Sequence, residues 1–571
     1  MKKIKKVLCY VLAIMIISSA FAGCSSNKGS KGTDNNDNDQ TVTEKPEDSK
    51  ETGEQAGGPE EIVEVDWYVD LPWWTWNGTG FGEDLTSKLI LEKTGVKINF
   101  IVPASDGGEQ LMSMIASDSL PDIMTVEGWW SSRSRMLTYQ LATEDYIWAY
   151  NDLMEQYAPE MKDVIRQDVF DWFAEADGKT YLLPNYAYSS QDLKEGEQLI
   201  PNGAITIRQD LYEAIGSPDM STPEGFLAAC EKIKNEVKTY NGQEIVPIQL
   251  YESVGNSILW LAQYFATPYE DENGNYVYDF TQENYKEALK FLNTAYRKGL
   301  ISDANFSDTR DLVNEKIASG RVFAMIAAPQ DFVPQMQSLY DLDSKAVYKP
   351  VVLRNSKGED PVLQDIRGFG WLTTAVSKKT QYPEQIAKLF TYLLSDEGQI
   401  AMCYGEEGVT FHYNADGTIS LSEEYETAMA NNDTKKYALS AMNLLDNYAF
   451  RRKFEVPPTD PKQLATVDTI MKQPLTQYSY DYSAAGFKFD PADPRKEAMN
   501  ELGVKVTTYR TTAVAKLVTA KDEAAFEASY QEAVADLNEM GIQELIDYNN
   551  DGFQAAKQAL GIERSWAPLI K

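Results

Sequence analysis

Histidine is almost missing from this chain, which has a single one, His412, among 571 residues. One imidazole cannot build a metal site from several histidines. Nucleophilic catalysis through a Ser–His or Cys–His pair would have to depend on this one residue. Conventional catalysis is therefore a poor expectation, and a lone histidine is more often structural than ligand-binding.

Basic residues are also few, because 53 Lys and Arg stand against 87 Asp and Glu, a formal net charge of −34. Nucleic-acid binding and docking on anionic lipid both need clustered cationic charge. The charge balance therefore argues against nucleic acid and against a basic membrane-binding patch. With 43% hydrophobic and 11% aromatic residues, the chain can still bury substantial cores.

Cysteine is scarce too, with four in the chain: Cys9, Cys24, Cys230 and Cys403. Cys9 and Cys24 lie in the N-terminal segment, so two cysteines remain for a large body and make no disulfide framework. Cys230 and Cys403 fall on predicted helices, where small buried hydrophobes are expected. A bridge between these two residues is the alternative.

The N-terminal segment has the pattern of a signal peptide. A lysine-rich start at residues 2–6 precedes an apolar run from Val7 to Ile17, which is too short to span a bilayer. Its end, Phe21-Ala-Gly-Cys24, resembles the lipobox of bacterial lipoproteins, although Phe21 departs from the usual aliphatic residue. The resemblance implies removal of residues 1–23 and acyl chains on Cys24. An ordinary secretory signal is the alternative.

Residues 24–60 follow as a polar stretch of Ser, Gly, Asn, Asp, Lys and Glu. Such a stretch cannot bury enough apolar surface to offset its ordering entropy, so we expect a disordered tether. As a flexible coil it would span roughly 35 Å. Lipid on Cys24 and this tether would hold a folded body near a membrane surface.

From residue 61 onward, short β-rich runs alternate with amphipathic helical stretches, which is typical of βαβ units. The periodicity predicts an α/β body. Strands are predicted at 61–69, 96–102, 121–124, 204–208, 246–250, 321–327 and 368–376, and helices at 82–94, 110–118, 209–215, 223–238, 281–299, 383–395 and 522–540. Residues 346–353 are expected to leave the second block of elements.

Several short motifs then occur in a fixed order. They are Leu120–Met124, Asp177–Asn185, Ile205–Asp210, Ile317–Arg321, Tyr382–Gly398 and Tyr404–Val409. No single motif is specific, but the ordered set, with the lipobox and the tether, resembles the extracellular solute-binding lipoproteins of ABC importers, in the large carbohydrate-binding group. The resemblance covers about residues 61–571.

This resemblance implies a two-lobe, type II periplasmic-binding-protein-like α/β fold with the ligand in an interlobe cleft and hinge crossovers. Lobe one is expected at 61–185 plus 366–408, and lobe two at 186–365 plus 409–571 with the C-terminal helices. It further implies a monomeric, extracytoplasmic binding protein, anchored through Cys24 to the outer face of a bacterial membrane. The ligand would be an oligosaccharide delivered to the ABC permease, and the acidity of the chain favours a neutral one.

Sugars present apolar faces and hydroxyl groups, so aromatic platforms and hydrogen-bonding side chains are expected in such a cleft. The aromatic candidates lie where predicted strands turn into loops or crossovers: Trp73, Trp74, Trp76, Trp129, Trp130, Tyr186, Tyr188, Trp260, Tyr264, Trp371 and Tyr404. The polar candidates flank them: Asn77, Glu127, Asn185, Arg367, Glu406 and Glu407. Trp73, Trp74 and Trp76 are the strongest, since three exposed tryptophans are costly. Core packing is the alternative for each aromatic residue, and it is the expectation for Trp67, Trp172 and Trp566.

Residues Asp271–Asp279 are rich in side-chain oxygens, and a structural calcium ion is one interpretation of them. The stretch lacks the EF-hand spacing and its terminal Glu, and its Asn-Gly pair is typical of a hairpin turn. No other cofactor is expected. Two further functions stay open: a binding protein for a peptide or another non-sugar solute, and a secreted glycoside hydrolase using two carboxylates.

Overall fold

The computed structural model describes residues 62–104, 108–128, 141–185, 199–252, 254–365, 370–431, 433–455 and 458–563. Several sequence-based predictions lie outside these residues: the signal peptide, the tether, Cys24, Trp129, Trp130, Tyr186, Tyr188, Arg367 and Trp566. By its internal contacts the chain divides into two units, 1–56 and 57–571, and the description concerns the second. Among the described residues, no helix combines the length and the hydropathy needed to cross a bilayer.

The strands in the described residues are β1 (Val63–Val69), β2 (Val96–Ile101), β3 (Ile123–Glu127), β4 (Leu183–Pro184), β5 (Ala204–Arg208), β6 (Thr239–Tyr240), β7 (Gln243–Glu244), β8 (Val246–Leu250), β9 (Val322–Ala327), β10 (Tyr348–Pro350), β11 (Leu363–Gln364), β12 (Leu372–Val376), β13 (Phe411–Tyr413), β14 (Ile419–Leu421) and β15 (Ser479–Tyr480).

The α-helices are Leu85–Thr94, Glu109–Ala116, Tyr150–Tyr157, Gln167–Trp172, Gln209–Ala214, Pro223–Lys232, Val254–Tyr264, Glu283–Arg297, Arg310–Ala318, Val333–Leu342, Pro383–Leu394, Asp396–Cys403, Glu423–Ala430, Tyr448–Arg452, Pro461–Thr466, Asp468–Lys472, Lys496–Val518, Glu523–Met540 and Ile542–Leu560. Short 3-10 turns include Pro329–Phe332 and Asn443–Leu445, and a π-helical turn, Ile233–Val237, extends the helix Pro223–Lys232.

The first sheet has the strand order β2-β1-β3-β12-β4. β1 runs parallel to β2 and β3, whereas β12 runs antiparallel to β3 and β4. Trp67 of β1 is fully buried, as expected, and packs against Phe390 of the helix Pro383–Leu394. Because β1 and β3 are parallel and β12 is antiparallel to β3, the carboxyl ends of β1 and β3 and the amino end of β12 lie at one shared edge.

The second sheet has the order β10-β5-β9-β8. β8 and β9 are parallel, and β5 runs antiparallel to β9, so Ala204 at the start of β5 pairs with Ala327 at the end of β9. All six residues of β9 are buried, which is the pattern of a central strand covered on both faces. The amino end of β5 therefore shares an edge with the carboxyl ends of β8 and β9.

The chain crosses between the two sheets at these edges. In the described residues it leaves the first sheet after β4, returns between β11 and β12, and crosses again between Phe454 and the helix Pro461–Thr466, which packs on Val333–Leu342 beside the second sheet. The first crossing begins at the end of β4 and leads to the amino end of β5, and the second ends at the amino end of β12, so both adjoin the edges described above.

The contacts correct one expected boundary. Residues 409–455 were expected in lobe two, but Met442, Leu444 and Leu445 belong to the apolar core that contains Trp67. The backbone N–H of Leu85 also donates to the carbonyl of Lys436 (2.9 Å). We therefore propose that lobe one comprises residues 62–185 and 370–455, and that lobe two comprises 199–365 and 458–563.

The C-terminal helices pack on lobe two. Buried Asn293 donates to the carbonyls of Val518 (3.0 Å) and Ala520 (2.7 Å), at the end of the helix Lys496–Val518. The predicted helix that ends at Gly541 is confirmed, with Asp522 accepting from the backbone N–H of Ala525 (2.8 Å). Cys230 and Cys403 are both free thiols, so the alternative of a bridge between them is wrong.

Candidate functional site

The loop after β1 brings two tryptophan rings together at the edge of lobe one. Trp73 is 59% exposed, and its ring stacks on that of Trp371, with centroids 5.8 Å apart and planes 18° apart. Trp371 directly precedes β12 and is half-buried against the core. A large exposed aromatic surface is costly in water and marks binding surfaces. We call this pair the Trp73–Trp371 platform.

Trp74 and Trp76, predicted as platform residues, hold the loop in place instead. Trp74 is 5% exposed, and its Nε1 donates to Oδ1 of Asn443 (3.0 Å). Trp76 is half-buried and stacks on Phe100, and its Nε1 donates to Asp84 (2.7 Å). Both indole N–H groups are used within the protein, so Trp73 is the residue of this loop that offers a free face.

Asn185 is a buried connector behind the platform. Its side chain is 2% exposed; Oδ1 accepts from the backbone N–H of Trp371 (3.1 Å) and Leu372 (2.9 Å), and Nδ2 donates to the carbonyl of Asn443 (3.1 Å). It directly follows β4, so its hydrogen bonds hold the start of β12 and the turn Asn443–Leu445 next to the end of β4. This geometry gives Asn185 a positioning role rather than a surface for a ligand.

Gly370 allows this close approach. Its φ is +72°, and a Cβ at this position would overlap the carbonyl oxygen of Asn185. Both the left-handed backbone and the steric contact require glycine here. The start of β12, and with it the Trp371 ring, depends on this contact.

The remaining lobe-one candidates lie at different places. Asn77 is exposed in the loop after β1, and Glu127 ends β3 opposite Leu372. Tyr404 packs against Phe411 and donates to the carbonyl of Arg451 (3.1 Å). These residues stay predictions for a ligand contact.

Three polar residues follow the helix Asp396–Cys403. Glu406 and Glu407 are exposed beside the hairpin of β13 and β14, and His412 is exposed within it, opposite Ser420. Among the described residues, no contact joins any of the three to the Trp73–Trp371 platform. A ligand contact by Glu407, the one of the three predicted most directly, stays a prediction, as do those by Glu406 and His412.

In lobe two, Tyr264 is fully buried and its hydroxyl accepts from the backbone N–H of Ile205 (3.0 Å). Burial raises the pKa of Tyr264 above its usual range. Trp260 is 5% exposed and lies against Gly203, where a Cβ would overlap the indole ring. The prediction that Tyr264 contacts the ligand is therefore wrong for this structure, because its side chain has no exposed surface.

Sequence reasoning missed a polar cluster at the edge of lobe two. Tyr251 and Glu252 follow β8, Asp331 lies in the turn after β9, and Arg310 begins the helix Arg310–Ala318. Nε of Arg310 donates to Glu252 (3.0 Å), and the hydroxyl of Tyr251 donates to Asp331 (2.5 Å). The signal that could have found it is the polar residues that follow each strand, Tyr251 and Glu252 directly after β8, and Gln330 and Asp331 separated from β9 by two residues. We call these four residues the Arg310 cluster.

Two pKa shifts follow from the contacts of this cluster. Burial opposes the charge of Arg310, but its bonds to Glu252 and the nearby Asp331 raise the pKa of the guanidinium above its usual value. Burial and the carboxylate of Asp331 raise the pKa of Tyr251. The guanidinium therefore stays charged and the phenol stays protonated across the physiological range.

The loop Asp271–Asp279 forms a turn rather than a cation cage. Asp271 accepts from the backbone N–H groups of Asn273 and Asn275 (2.8 Å each). Nζ of Lys557 donates to Glu270 (2.6 Å) and to the carbonyl of Gly274 (3.1 Å). The described residues contain no cluster of three His, Cys, Asp or Glu arranged for a metal ion. A divalent cation would be repelled by this ammonium, so the residues here do not fit calcium.

Replacing Lys557 with methionine is expected to destabilise the protein by about 3–5 kcal/mol, because the buried Glu270 carboxylate loses its ammonium. Thermal unfolding would be measured with calcium and with a chelator. The wild-type midpoint should be the same in both, and Lys516→Met, which breaks the exposed pair with Glu532, should change it little. A calcium-dependent rise in the wild-type midpoint would show that this loop does bind the ion.

Two α/β lobes, repeated chain crossings between them and an aromatic platform at the shared edge define a two-lobe solute-binding protein of the type II class. The chain belongs to the bacterial extracellular solute-binding protein family, whose sequence profile matches residues 78–400, more than half of its length. Both the resemblance inferred from the ordered motifs and the predicted fold class are thereby confirmed.

Solved structures show the same fold. FusA of S. pneumoniae in complex with kestose has a TM-score of 0.67 at 15% identity, with 87% of this chain and 100% of that chain covered. The alginate-binding protein AlgQ2 without calcium ion has a TM-score of 0.65 at 15% identity, covering 87% and 99%. An HMO binding, ABC-transporter-associated solute-binding protein from Bifidobacterium longum infantis ATCC 15697 has a TM-score of 0.61 at 13% identity, covering 87% of this chain and 99% of that chain.

The sequence is also similar to a curated relative, the fructooligosaccharide ABC transporter substrate-binding protein FusA of Streptococcus pneumoniae serotype 4 (strain ATCC BAA-334 / TIGR4). The two are 27% identical over 240 residues, which cover 39% of this chain and 43% of FusA. The match therefore spans less than half of the length of that relative.

Proposed function

We propose that this protein captures a neutral oligosaccharide between its two lobes and delivers it to the permease of an ABC importer. The observation that carries the proposal is the Trp73–Trp371 platform, in which the exposed indole of Trp73 stacks on the half-buried indole of Trp371 at the edge of the first sheet where β12 begins. An indole face packs well against the C–H face of a pyranose or furanose ring.

The comparisons support this choice of ligand class. The relative FusA carries the name of a fructooligosaccharide ABC transporter substrate-binding protein, and it has been solved with kestose. Charge supports a neutral ligand, since the chain carries a net charge of −34 and would repel a polyanionic sugar.

In this proposal the protein binds and releases its ligand without converting it. The ligand would favour the closed arrangement of the lobes by its higher affinity for that state. The protein acts as a monomer, held at the outer face of the cell membrane by acyl chains on Cys24 and by the tether 24–60. The proposal requires no metal ion or other cofactor.

Isothermal titration calorimetry of the purified protein tests this function. The panel contains neutral oligosaccharides (kestose, nystose, maltotriose and lacto-N-tetraose), an alginate trisaccharide and short peptides. We expect saturable binding of at least one neutral oligosaccharide and none of the alginate trisaccharide. Binding of peptides alone would favour a non-sugar solute, and release of shorter sugars, seen by chromatography, would favour a hydrolase. Either outcome contradicts the proposal.

A further inference from the structure

The edge of lobe two carries a second group of side chains, the Arg310 cluster, which lies beside the first crossing. Asn202 and Gly203 lie just before β5, on the lobe-two side of the first crossing, and Gln330 beside Asp331 donates to Oδ1 of Asn202 (2.8 Å). The turn after β9 is therefore next to a crossing. Ligands of open α/β sheets bind outside the carboxyl ends of the strands, and the Arg310 cluster lies at the carboxyl ends of β8 and β9.

The cluster is arranged before any ligand arrives. Nη2 of Arg310 donates to Glu252 (2.5 Å), to Tyr251 and to Asp331 (3.4 Å). The guanidinium lies over the rings of Tyr251 (4.8 Å) and Phe332 (5.2 Å). A planar group held by several bonds and two rings loses little further freedom when it binds a hydroxyl group.

The same side chains are accessible. The side chains of Arg310, Glu252 and Asp331 are 30%, 25% and 32% exposed. The bonds within the described residues use Nε and Nη2 of Arg310, which leaves Nη1 for solvent or a ligand. Oε2 of Glu252 and Nε1 of the neighbouring Trp260, both buried, also have no hydrogen-bond partner among the described residues. The edge thus offers one accessible donor, Nη1 of Arg310, beside a buried acceptor and a buried donor that have no partner among the described residues.

The charge of the cluster selects the kind of ligand. Two carboxylates surround one guanidinium, which leaves a local charge of −1. Lys472, whose charge also interacts with that of Asp331, is fully buried and bonds to Asp468 (3.1 Å) and Gln330 (2.9 Å). Burial lowers the pKa of Lys472. An anionic sugar would meet unbalanced negative charge here, whereas a hydroxyl group can both donate to the carboxylates and accept from the guanidinium.

We propose that the Arg310 cluster is the lobe-two subsite for vicinal hydroxyl groups of a neutral saccharide, and that its two carboxylates exclude uronate sugars. This inference rests on the proposed function and deepens it. The Trp73–Trp371 platform holds the apolar face of the sugar on lobe one, and the Arg310 cluster bonds its hydroxyl groups when the lobes close.

Calorimetry with kestose, nystose, maltotriose, lacto-N-tetraose and an alginate trisaccharide tests the subsite on the wild type and on Arg310→Met and Asp331→Asn. For whichever neutral sugar binds the wild type, we expect Arg310→Met to lower the affinity about tenfold or more, and Asp331→Asn severalfold, since bonds to charged groups are lost. Arg354→Met is the control and should leave the affinity unchanged. It breaks the ion pair with Asp360, and the side chain of Arg354 is exposed to nearly the same degree as that of Arg310.

A second variant tests the selection by charge. The double variant Glu252→Gln, Asp331→Asn keeps the side-chain volumes but removes both negative charges, so it should gain measurable affinity for the alginate trisaccharide. Thermal unfolding of each variant separates loss of binding from loss of folding, and Arg310→Lys should retain part of the affinity if the charge rather than the packing matters.

The outcomes separate the two proposals. If the wild type binds a neutral oligosaccharide and Trp73→Ala weakens it, but folded Arg310→Met and Asp331→Asn bind within twofold of the wild type, the subsite is wrong and the function stands. If the wild type binds no saccharide of the panel, the function fails and the subsite fails with it.

Discussion

Replacing Trp73 with alanine is expected to weaken oligosaccharide binding about 30-fold or more. The exposed ring stacks on Trp371 and offers the free face of the platform. Truncating a tryptophan that anchors a ligand typically costs about 2 kcal/mol or more, which corresponds to this factor. The measurement is calorimetry with the neutral sugar that binds the wild type. Since Trp73 is exposed, its removal should leave the unfolding midpoint nearly unchanged.

Two further variants are compared with Trp73→Ala, one in the platform and one outside it. Trp371→Ala should weaken binding to a similar degree and also lower stability, because its half-buried ring packs on the core of lobe one. Tyr413→Ala removes another exposed aromatic side chain, in the hairpin of β13 and β14 rather than in the first sheet, and is the matched control. Equal affinity of Trp73→Ala, Tyr413→Ala and the wild type would remove the platform from the site.

Replacing Asn185 with alanine is expected to destabilise lobe one by an amount on the order of 3 kcal/mol. The substitution leaves the buried N–H groups of Trp371 and Leu372 and the carbonyl of Asn443 without their partner. Each unsatisfied buried group costs about 1–3 kcal/mol. The unfolding midpoint should fall by roughly 5–10 °C in a thermal scan. Affinity should fall as well, since the backbone of Trp371 is no longer held.

Asn77→Ala is the matched control, because Asn77 is an exposed asparagine of the same lobe. Its unfolding midpoint should stay within about 1 °C of the wild type, as for most surface substitutions. Gly370→Ala should lower the unfolding midpoint as Asn185→Ala does, since the added Cβ overlaps the carbonyl oxygen of Asn185 and breaks the same contact. An unchanged midpoint in both Asn185→Ala and Gly370→Ala would show that this connection does not hold the lobe.

Local signals in the sequence predicted most of the elements. Thr222 and Pro223 predicted a helix start, and the structure has Thr222 capping that helix by accepting from the N–H of Gly225 (3.1 Å). The strand Ala204–Arg208 and the helix Pro383–Leu394 begin where the sequence placed them. These features depend on neighbouring residues, so capping rules and periodicity are enough to find them.

The candidate site was predicted only in part, because exposure is not a local property. Of three tryptophans within four residues, the structure leaves Trp73 exposed and uses Trp74 to bond Asn443, a residue 369 positions away. Tyr264 falls after a strand in the sequence but inside the core of lobe two. Nothing in the local pattern distinguishes these rings, since their partners come from distant segments.

By itself, the sequence determined the acidic charge, the α/β class, the order of the elements and the family, because each of these follows from composition, local periodicity or ordered motifs. Only the tertiary structure decided that Met442, Leu444 and Leu445 join the core that contains Trp67, that Asn185 bonds to Trp371, Leu372 and Asn443, and that Arg310 lies between Glu252 and Asp331. The physical reason is the same in each case. Long-range packing and buried hydrogen bonds join residues that are far apart in the sequence, so these contacts produce no periodic pattern along the chain.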